Sequence, residues 1–213
     1  MKTEDLIRAM VADNPTRRPP ITRTVGLAFL AGTVAGALLF AALIGWRSDF
    51  WWSVVNSPRF VFKFAVTLAL VVPSYLLVRR LARPDAEAGA LKWLLLLPVL
   101  MLAAGVLVEM GLIPRDHWPV YAVGSNAIAC MSLIPVLSLG PLVAILYALR
   151  QGAPAHPAMA GAVGGLLAAG IGATLYASHC ADDSPLFVSI WYPIAICAVA
   201  GAGALIGSRV LKW

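Results

Sequence analysis

Long apolar runs separated by short polar segments dominate the sequence. Six runs can be assigned, at residues 24–45, 60–78, 91–110, 128–149, 158–178 and 188–208. Each has roughly 20 residues, which is the length that an α-helix needs to cross a bilayer core of about 30 Å. The pattern therefore predicts an all-α fold with two parts. Residues 1–23 form a polar tail, and residues 24–213 form a bundle of six transmembrane helices.

The composition agrees with a lipid environment. Hydrophobic residues make up 61% of the chain and charged residues only 12%, whereas soluble domains carry roughly 25% charged residues. The net charge of +6 could indicate nucleic acid binding. However, the basic residues stand in short clusters between the apolar runs, where they set membrane topology. We therefore expect contact with lipid and no direct contact with nucleic acid.

The distribution of Lys and Arg predicts the orientation. With the N-terminus in the cytoplasm, most of the 16 basic residues fall on the cytoplasmic side, and the opposite side keeps only Arg47, Arg59, Lys63 and Arg115. Cytoplasmic loops are enriched in Lys and Arg, so both termini are predicted to be cytoplasmic. Lys63 and Glu109 lie near the outer ends of spans 2 and 3, where we expect them to reach the interface.

Small residues recur every four positions in three of the spans. They are Gly161, Gly165, Ala169, Ala173 and Ala177 in span 5, Gly32 and Gly36 in span 1, and Gly203 and Gly207 in span 6. Such stripes let helices approach closely. We expect them to pack helices within the bundle, and self-association of the protein is the alternative.

Three cysteines occupy different depths. Cys197 lies deep in span 6 and is predicted to be a core residue. Cys130 is near the outer end of span 4, and Cys180 follows span 5, so the topology places both on the oxidising side. Three interpretations remain open for this pair: a structural disulfide, a switch that responds to redox state or to a soft metal, and two unrelated thiols. The candidate metal ligands are Cys130, Cys180, His179, Asp182, Asp183 and His117.

The tail contains a predicted helix near residues 3–13. Thr3 can cap it, and Glu4 and Asp5 favour its first turn. Its apolar positions fall on one face and comprise Leu6, Ile7, Met10 and Val11. So short a helix needs a surface to be stable. That surface is either the lipid head groups or a groove on a cytosolic partner.

Several segments resemble one family of bacterial regulators. They are Lys2-Thr3-Glu4-Asp5-Leu6-Ile7-Arg8, Ser57-Pro58-Arg59-Phe60-Val61-Phe62-Lys63, Gly124-Ser125-Asn126 with Cys130, and His179-Cys180-Ala181-Asp182-Asp183-Ser184-Pro185-Leu186-Phe187 with Trp191-Tyr192. In these the chain resembles the NrsF-type membrane anti-sigma factors over nearly its whole length. The resemblance implies a six-span protein of the bacterial inner membrane that holds an extracytoplasmic-function sigma factor inactive. It also implies that Cys130 and Cys180 sense metal or oxidative stress.

The leading hypothesis is thus an anti-sigma factor and not an enzyme. Its sigma-binding residues would be Leu6, Ile7, Arg8, Met10 and Val11 in the tail. A membrane thiol oxidoreductase is a weaker alternative, because the chain lacks the usual C-x-x-C pair. A small metal or solute transporter is disfavoured by the absence of charged residues at mid-span.

Overall fold

Helices account for almost all of the regular structure. The computed structural model describes residues 3–12, 20–84 and 88–212, and no strand occurs in those ranges. Six helical segments are long and apolar enough to cross a membrane. They correspond to α2 (Ile21–Leu43), α4 (Pro58–Leu81), α5 (Leu96–Leu112), α7 (Ala127–Arg150), α8 (Pro157–Ala177) and α9 (Pro185–Val210). The predicted all-α fold with six spans is therefore confirmed.

Shorter helices complete the chain. They are α1 (Thr3–Ala12), α3 (Phe50–Asn56), α6 (Trp118–Val123) and two 3₁₀ segments, Gly89–Leu95 before α5 and Arg115–His117 before α6. The 3₁₀ segment before α5 extends that span to the length of a bilayer crossing.

Local sequence signals explain where two of the spans begin. The Ser57 hydroxyl accepts a hydrogen bond from the Phe60 N–H, and Pro58 follows as the first residue of α4. The Ser184 hydroxyl accepts one from the Leu186 N–H, and Pro185 opens α9 in the same way. A serine cap satisfies a free backbone donor, and proline costs nothing at the first helical position. These two positions therefore begin helices for local reasons.

Helix α8 lies at the centre of the bundle and packs closely against α9. A Cβ atom built on Gly165 would lie 2.7 Å from both the Ala200 Cα and the Val199 oxygen, and one on Gly207 would lie 2.8 Å from the Gly161 Cα. Only glycine permits such an approach of two backbones. The stripe is thus covered by the chain's own helices, as the expected packing within the bundle requires.

The glycines of span 1 serve the same purpose at a second contact. A Cβ atom on Gly32 would lie 2.8 Å from the Pro141 Cα, and one on Gly36 would lie 3.2 Å from the Leu137 oxygen. Helices α2 and α7 therefore also pack with little between their backbones. Helix α5, in contrast, lies at the periphery and exposes large apolar side chains such as Leu100 and Leu107, as expected for a surface in contact with lipid.

The buried side chains form two clusters, one toward each end of the bundle. One cluster includes Leu81, Ala82, Leu149 and Leu211, with Ile21 packed against it. We call this the tail end, because α2 begins and α9 ends there. The other cluster includes Phe40, Cys130, Tyr176, Cys180 and Phe187. We call this the cysteine end. The start of α2 and the two cysteines thus lie at opposite ends of one bundle.

The third cysteine does not belong to either core. Cys197 is exposed on α9, although the sequence predicts a core residue. Its immediate neighbour Ile196 is partly buried. Successive side chains on a helix point in different directions, so Cys197 faces outward.

Candidate functional site

Cys130 and Cys180 are buried in the same apolar cluster at the cysteine end. Cys130 lies in the first turn of α7, where its N–H donates to the Asn126 oxygen at 2.8 Å. Cys180 lies in the cysteine loop, residues 178–184, which joins α8 to α9. Both are free thiols, and neither is more than 1% exposed. A reagent from the aqueous side therefore cannot reach either sulfur unless the cysteine loop moves.

Burial also changes the acidity of the loop thiol. It raises the pKa of Cys180 above its ordinary value, against the smaller opposing effect of the nearby Lys63 ammonium. The thiolate is the reactive form of cysteine. At neutral pH, Cys180 is consequently a poor nucleophile in this conformation.

Asp182 holds the cysteine loop to the start of α7. Its Oδ2 accepts hydrogen bonds from the Ser125 N–H at 3.0 Å, the Asn126 N–H at 2.8 Å and the Asn126 side-chain amide at 2.9 Å. Gly124, with φ of +60°, supplies the left-handed turn that brings these donors into place. The loop that carries Cys180 is thereby tied to the segment that leads into Cys130.

Asp183 holds the same loop to α4 and to the segment after α2. Its Oδ1 lies 2.5 Å from the Lys63 Nζ, and its Oδ2 lies 3.0 Å from the Arg47 Nη1. The carbonyl oxygen of Cys180 accepts from the same two cations, at 2.9 Å and 3.1 Å. Lys63 is 0% exposed, so the prediction that it reaches the interface is wrong. The pairing with Asp183 offsets the cost of burying its charge.

Glu109 provides a third anchor between α4, α5 and the start of α9. Its Oε2 accepts from the Arg59 Nε–H at 3.0 Å, and its Oε1 accepts from the Ser184 hydroxyl at 3.0 Å. Glu109 is 3% exposed, so its predicted position at the interface is also wrong. Lys63 and Glu109 both lie inside apolar runs of the sequence. A charged residue in such a run usually has a partner within the bundle, and this position could have indicated their burial.

Comparison with known proteins identifies the family. The NrsF family, described as negative regulator of sigma F, matches residues 10–213. The chain belongs to the NrsF family. The probable anti-sigma-F factor NrsF of Azospira oryzae is 32% identical over 217 residues, and the anti-sigma-F factor NrsF of Caulobacter vibrioides is 32% identical over 216 residues. Both alignments cover 100% of this chain and of the relative. No solved structure matches significantly.

The candidate metal ligands of this NrsF-family chain do not come together. The His179 Nδ1 lies 3.0 Å from the Gly45 oxygen, and Asp182 and Asp183 are engaged as described. His117 lies in the separate 3₁₀ segment before α6. Among the residues that the structure describes, no group of three or more His, Cys, Asp or Glu side chains could hold a metal ion. Cys130 and Cys180 share the apolar cluster at the cysteine end.

The helix predicted in the tail of this NrsF-family chain is present as α1, and its binding of a sigma factor stays a prediction. Glu4 and Asp5 occupy its first turn, and Ile7 and Arg8 are exposed. The side chains of Leu6, Met10 and Val11 lie outside the described part of the chain, as do residues 13–19 of the predicted spacer. The sequence places Arg47, Arg59, Lys63 and Glu109 at the same outer end as the two cysteines, but their contacts with Asp183, Ser184 and one another could not be predicted, because those partners are distant in sequence.

Proposed function

We propose that this chain is a membrane-bound anti-sigma factor with a signal-sensing cysteine pair. It sequesters an extracytoplasmic-function sigma factor at the inner membrane and releases it when the periplasmic pair changes state. The membership of the NrsF family over residues 10–213 carries the proposal. The names of both relatives, each matched over its full length, support the regulatory role.

The positions of the two ends support separate roles for the tail, in sigma binding, and for the cysteine pair, in sensing. Helix α2 starts at the tail end, just after α1 and its spacer, and reaches the cysteine end at Phe40. Immediately beyond α2, the oxygen of Gly45 and the side chain of Arg47 contact the cysteine loop. A rearrangement of this loop would therefore act directly on the helix that carries the tail.

The signal is a change in the bonding of Cys130 and Cys180. A disulfide between them forms with loss of two protons and two electrons, which a periplasmic oxidant accepts. Reduction reverses this step, and a soft metal ion held by both sulfurs is the remaining form of the switch. A hundredfold loss of sigma binding requires a bias of about 2.7 kcal/mol between two states of the bundle. One disulfide can supply about 2–4 kcal/mol, which is sufficient.

Co-purification of the sigma factor with tail variants tests the binding half of the proposal. We expect Leu6→Asp and Met10→Asp to reduce the retained sigma factor at least about tenfold, because a charge on an apolar contact must be desolvated. Glu4→Gln is the matched control, since Glu4 is exposed on α1, and it should bind as the wild type does. Undiminished binding of both Asp variants would remove the tail from the mechanism.

A further inference from the structure

Two neighbouring cavities at the cysteine end differ in character. The first, of about 630 Å³, has a lining that is about half polar, and we call it the polar cavity; its polar residues are Tyr121, Ser125, Asp182, Asp183 and Ser184, together with Ser57 and Arg59. The second, of about 660 Å³, is mostly apolar. It lies between α4 and α5 and is lined by Phe62, Ala104, Gly105, Val108 and Leu112, together with Ser57 and Arg59. Ser57 and Arg59 line both cavities, so the two meet at the start of α4.

We propose that these two cavities form a binding site for a phospholipid with an amine-bearing, zwitterionic head group, of the phosphatidylethanolamine type. The head group occupies the polar cavity and one acyl chain occupies the apolar groove. Both α4 and α5 are long apolar spans, so the groove opens to the leaflet at the cysteine end. The proposal does not depend on the regulatory function.

Arg59 supplies the group that recognises the phosphate. Its Nε–H is used by Glu109. Its terminal nitrogens make no hydrogen bond to another residue within the described ranges, and the side chain is 43% exposed. A guanidinium presents parallel donors that match phosphate oxygens. The Glu109 contact fixes the Arg59 side chain at the junction of the two cavities. Binding of a phosphate would therefore cost little additional side-chain entropy at Arg59.

The charges in the polar cavity favour a zwitterion over an anionic head group. Arg59 is its only cation, while Asp182 and Asp183 are two carboxylates in its lining. Asp183 is neutralised by Lys63 and Arg47. Among the described residues, the donors to Asp182 are the uncharged groups of Ser125 and Asn126. An ammonium beside Asp182 and a phosphate beside Arg59 would each meet an opposite charge. An anionic lipid such as phosphatidylglycerol carries an uncharged glycerol in place of the ammonium, so it would leave Asp182 without an opposite charge.

The acyl-chain half of the site offers a matched pair of variants. Val108 lines the groove, and its neighbour Leu107 does not. Both side chains are largely exposed, at 62% and 72%. Val108→Trp fills the groove, whereas Leu107→Trp places the same side chain on the adjacent surface of α5. Neither substitution disturbs a buried contact, so both proteins should fold.

Native mass spectrometry of the full-length protein in detergent tests the proposal by titration with palmitoyl-oleoyl phosphatidylethanolamine and the matching phosphatidylglycerol. We expect one bound phosphatidylethanolamine, held at least about tenfold more tightly than phosphatidylglycerol, a difference of about 1.4 kcal/mol. Val108→Trp should weaken that binding about tenfold or more, and Leu107→Trp should not change it. Equal retention of the two lipids would overturn the assignment of the head group. Equal behaviour of the two Trp variants would overturn the groove.

The phosphate contact is tested by the double variant Arg59→Gln/Glu109→Gln. Removing both charges avoids leaving Glu109 buried without a partner. We expect this variant to lose phosphatidylethanolamine binding while its melting temperature in lipid-free detergent stays close to that of the wild type. Unchanged lipid binding in a folded double variant would contradict the role of Arg59.

Discussion

The ammonium of Lys63 donates a hydrogen bond of 2.9 Å to the carbonyl oxygen of Cys180. A fully buried cation of α4 is thus bonded to the backbone of the residue that carries one of the two clustered thiols. The same ammonium pairs with Asp183 three residues later. The conformation of the cysteine loop therefore depends on a charge that sits inside the bundle.

Removing that charge should destabilise the cysteine end. Lys63→Met leaves the Cys180 carbonyl and Asp183 with Arg47 as their remaining cation, and breaking a buried ion pair typically costs about 3–5 kcal/mol. We expect a loss of this order in unfolding measurements in mixed detergents. The double variant Lys63→Met/Asp183→Asn should recover part of the loss, because it no longer buries an unbalanced charge. A single variant as stable as the wild type would contradict the structural role of Lys63.

The reactivity of Cys180 should depend on pH in a specified direction. Because burial raises its pKa, the thiolate fraction at neutral pH lies below that of an exposed cysteine. In a Cys130→Ser/Cys197→Ser background, maleimide labelling should be slow at pH 7.5 and should still increase above about pH 10, beyond the range in which an exposed thiol with a pKa of about 8.5 levels off. A labelling rate that has levelled off by about pH 10 would show an ordinary, accessible thiol with a pKa of about 8.5.

Loosening the cysteine loop should expose the Cys180 thiol. Asp182→Ala removes an acceptor of three hydrogen bonds from the start of α7, and each contributes about 1 kcal/mol. We therefore expect Cys180 in the same background to label at least about tenfold faster, as the loop opens more often. Asp116→Ala, an exposed aspartate in the segment before α6, is the control and should leave the rate unchanged. Equal rates would mean that Asp182 does not control access.

The contact between α8 and α9 should tolerate no added methyl group. In Gly165→Ala the new Cβ meets backbone atoms at 2.7 Å, and relief of such overpacking costs about 1–3 kcal/mol. Gly201→Ala is the matched control, because no atom lies within 4 Å of its Cβ. Melting temperatures in detergent should fall for the first variant and stay equal or rise for the second. Comparable values for the two would contradict the close packing.

Among the three cysteines, signalling should depend on Cys130 and Cys180 and not on Cys197. We expect Cys130→Ser and Cys180→Ser each to abolish the response of a sigma-dependent reporter to the inducing stress. Cys197→Ser should respond normally, since Cys197 is exposed on α9 and lies outside the cluster. A normal response from either of the first two variants would remove the cysteine pair from the proposed switch.

Local and periodic information in the sequence determined the secondary structure of this protein. Long apolar runs must satisfy their backbone groups internally, which only a helix does within a single segment. For this reason the six spans and the tail helix could be predicted, although α4 and α9 begin at Pro58 and Pro185, a few residues before the predicted starts at 60 and 188. The resemblance to the NrsF family was also visible in the sequence, because its most specific segment, residues 179–187, is continuous in the chain.

Only the tertiary structure decided which side chains meet. Lys63, Glu109 and Cys197 were each placed wrongly from sequence, since a helix can rotate about its axis without changing its apolar pattern. Neighbouring helices fix that rotation through contacts such as Lys63 with Asp183, which are 120 residues apart. The pairing of charges around Cys180 is therefore a property of packing, whereas the number and length of the spans follow from the chemistry of each segment alone.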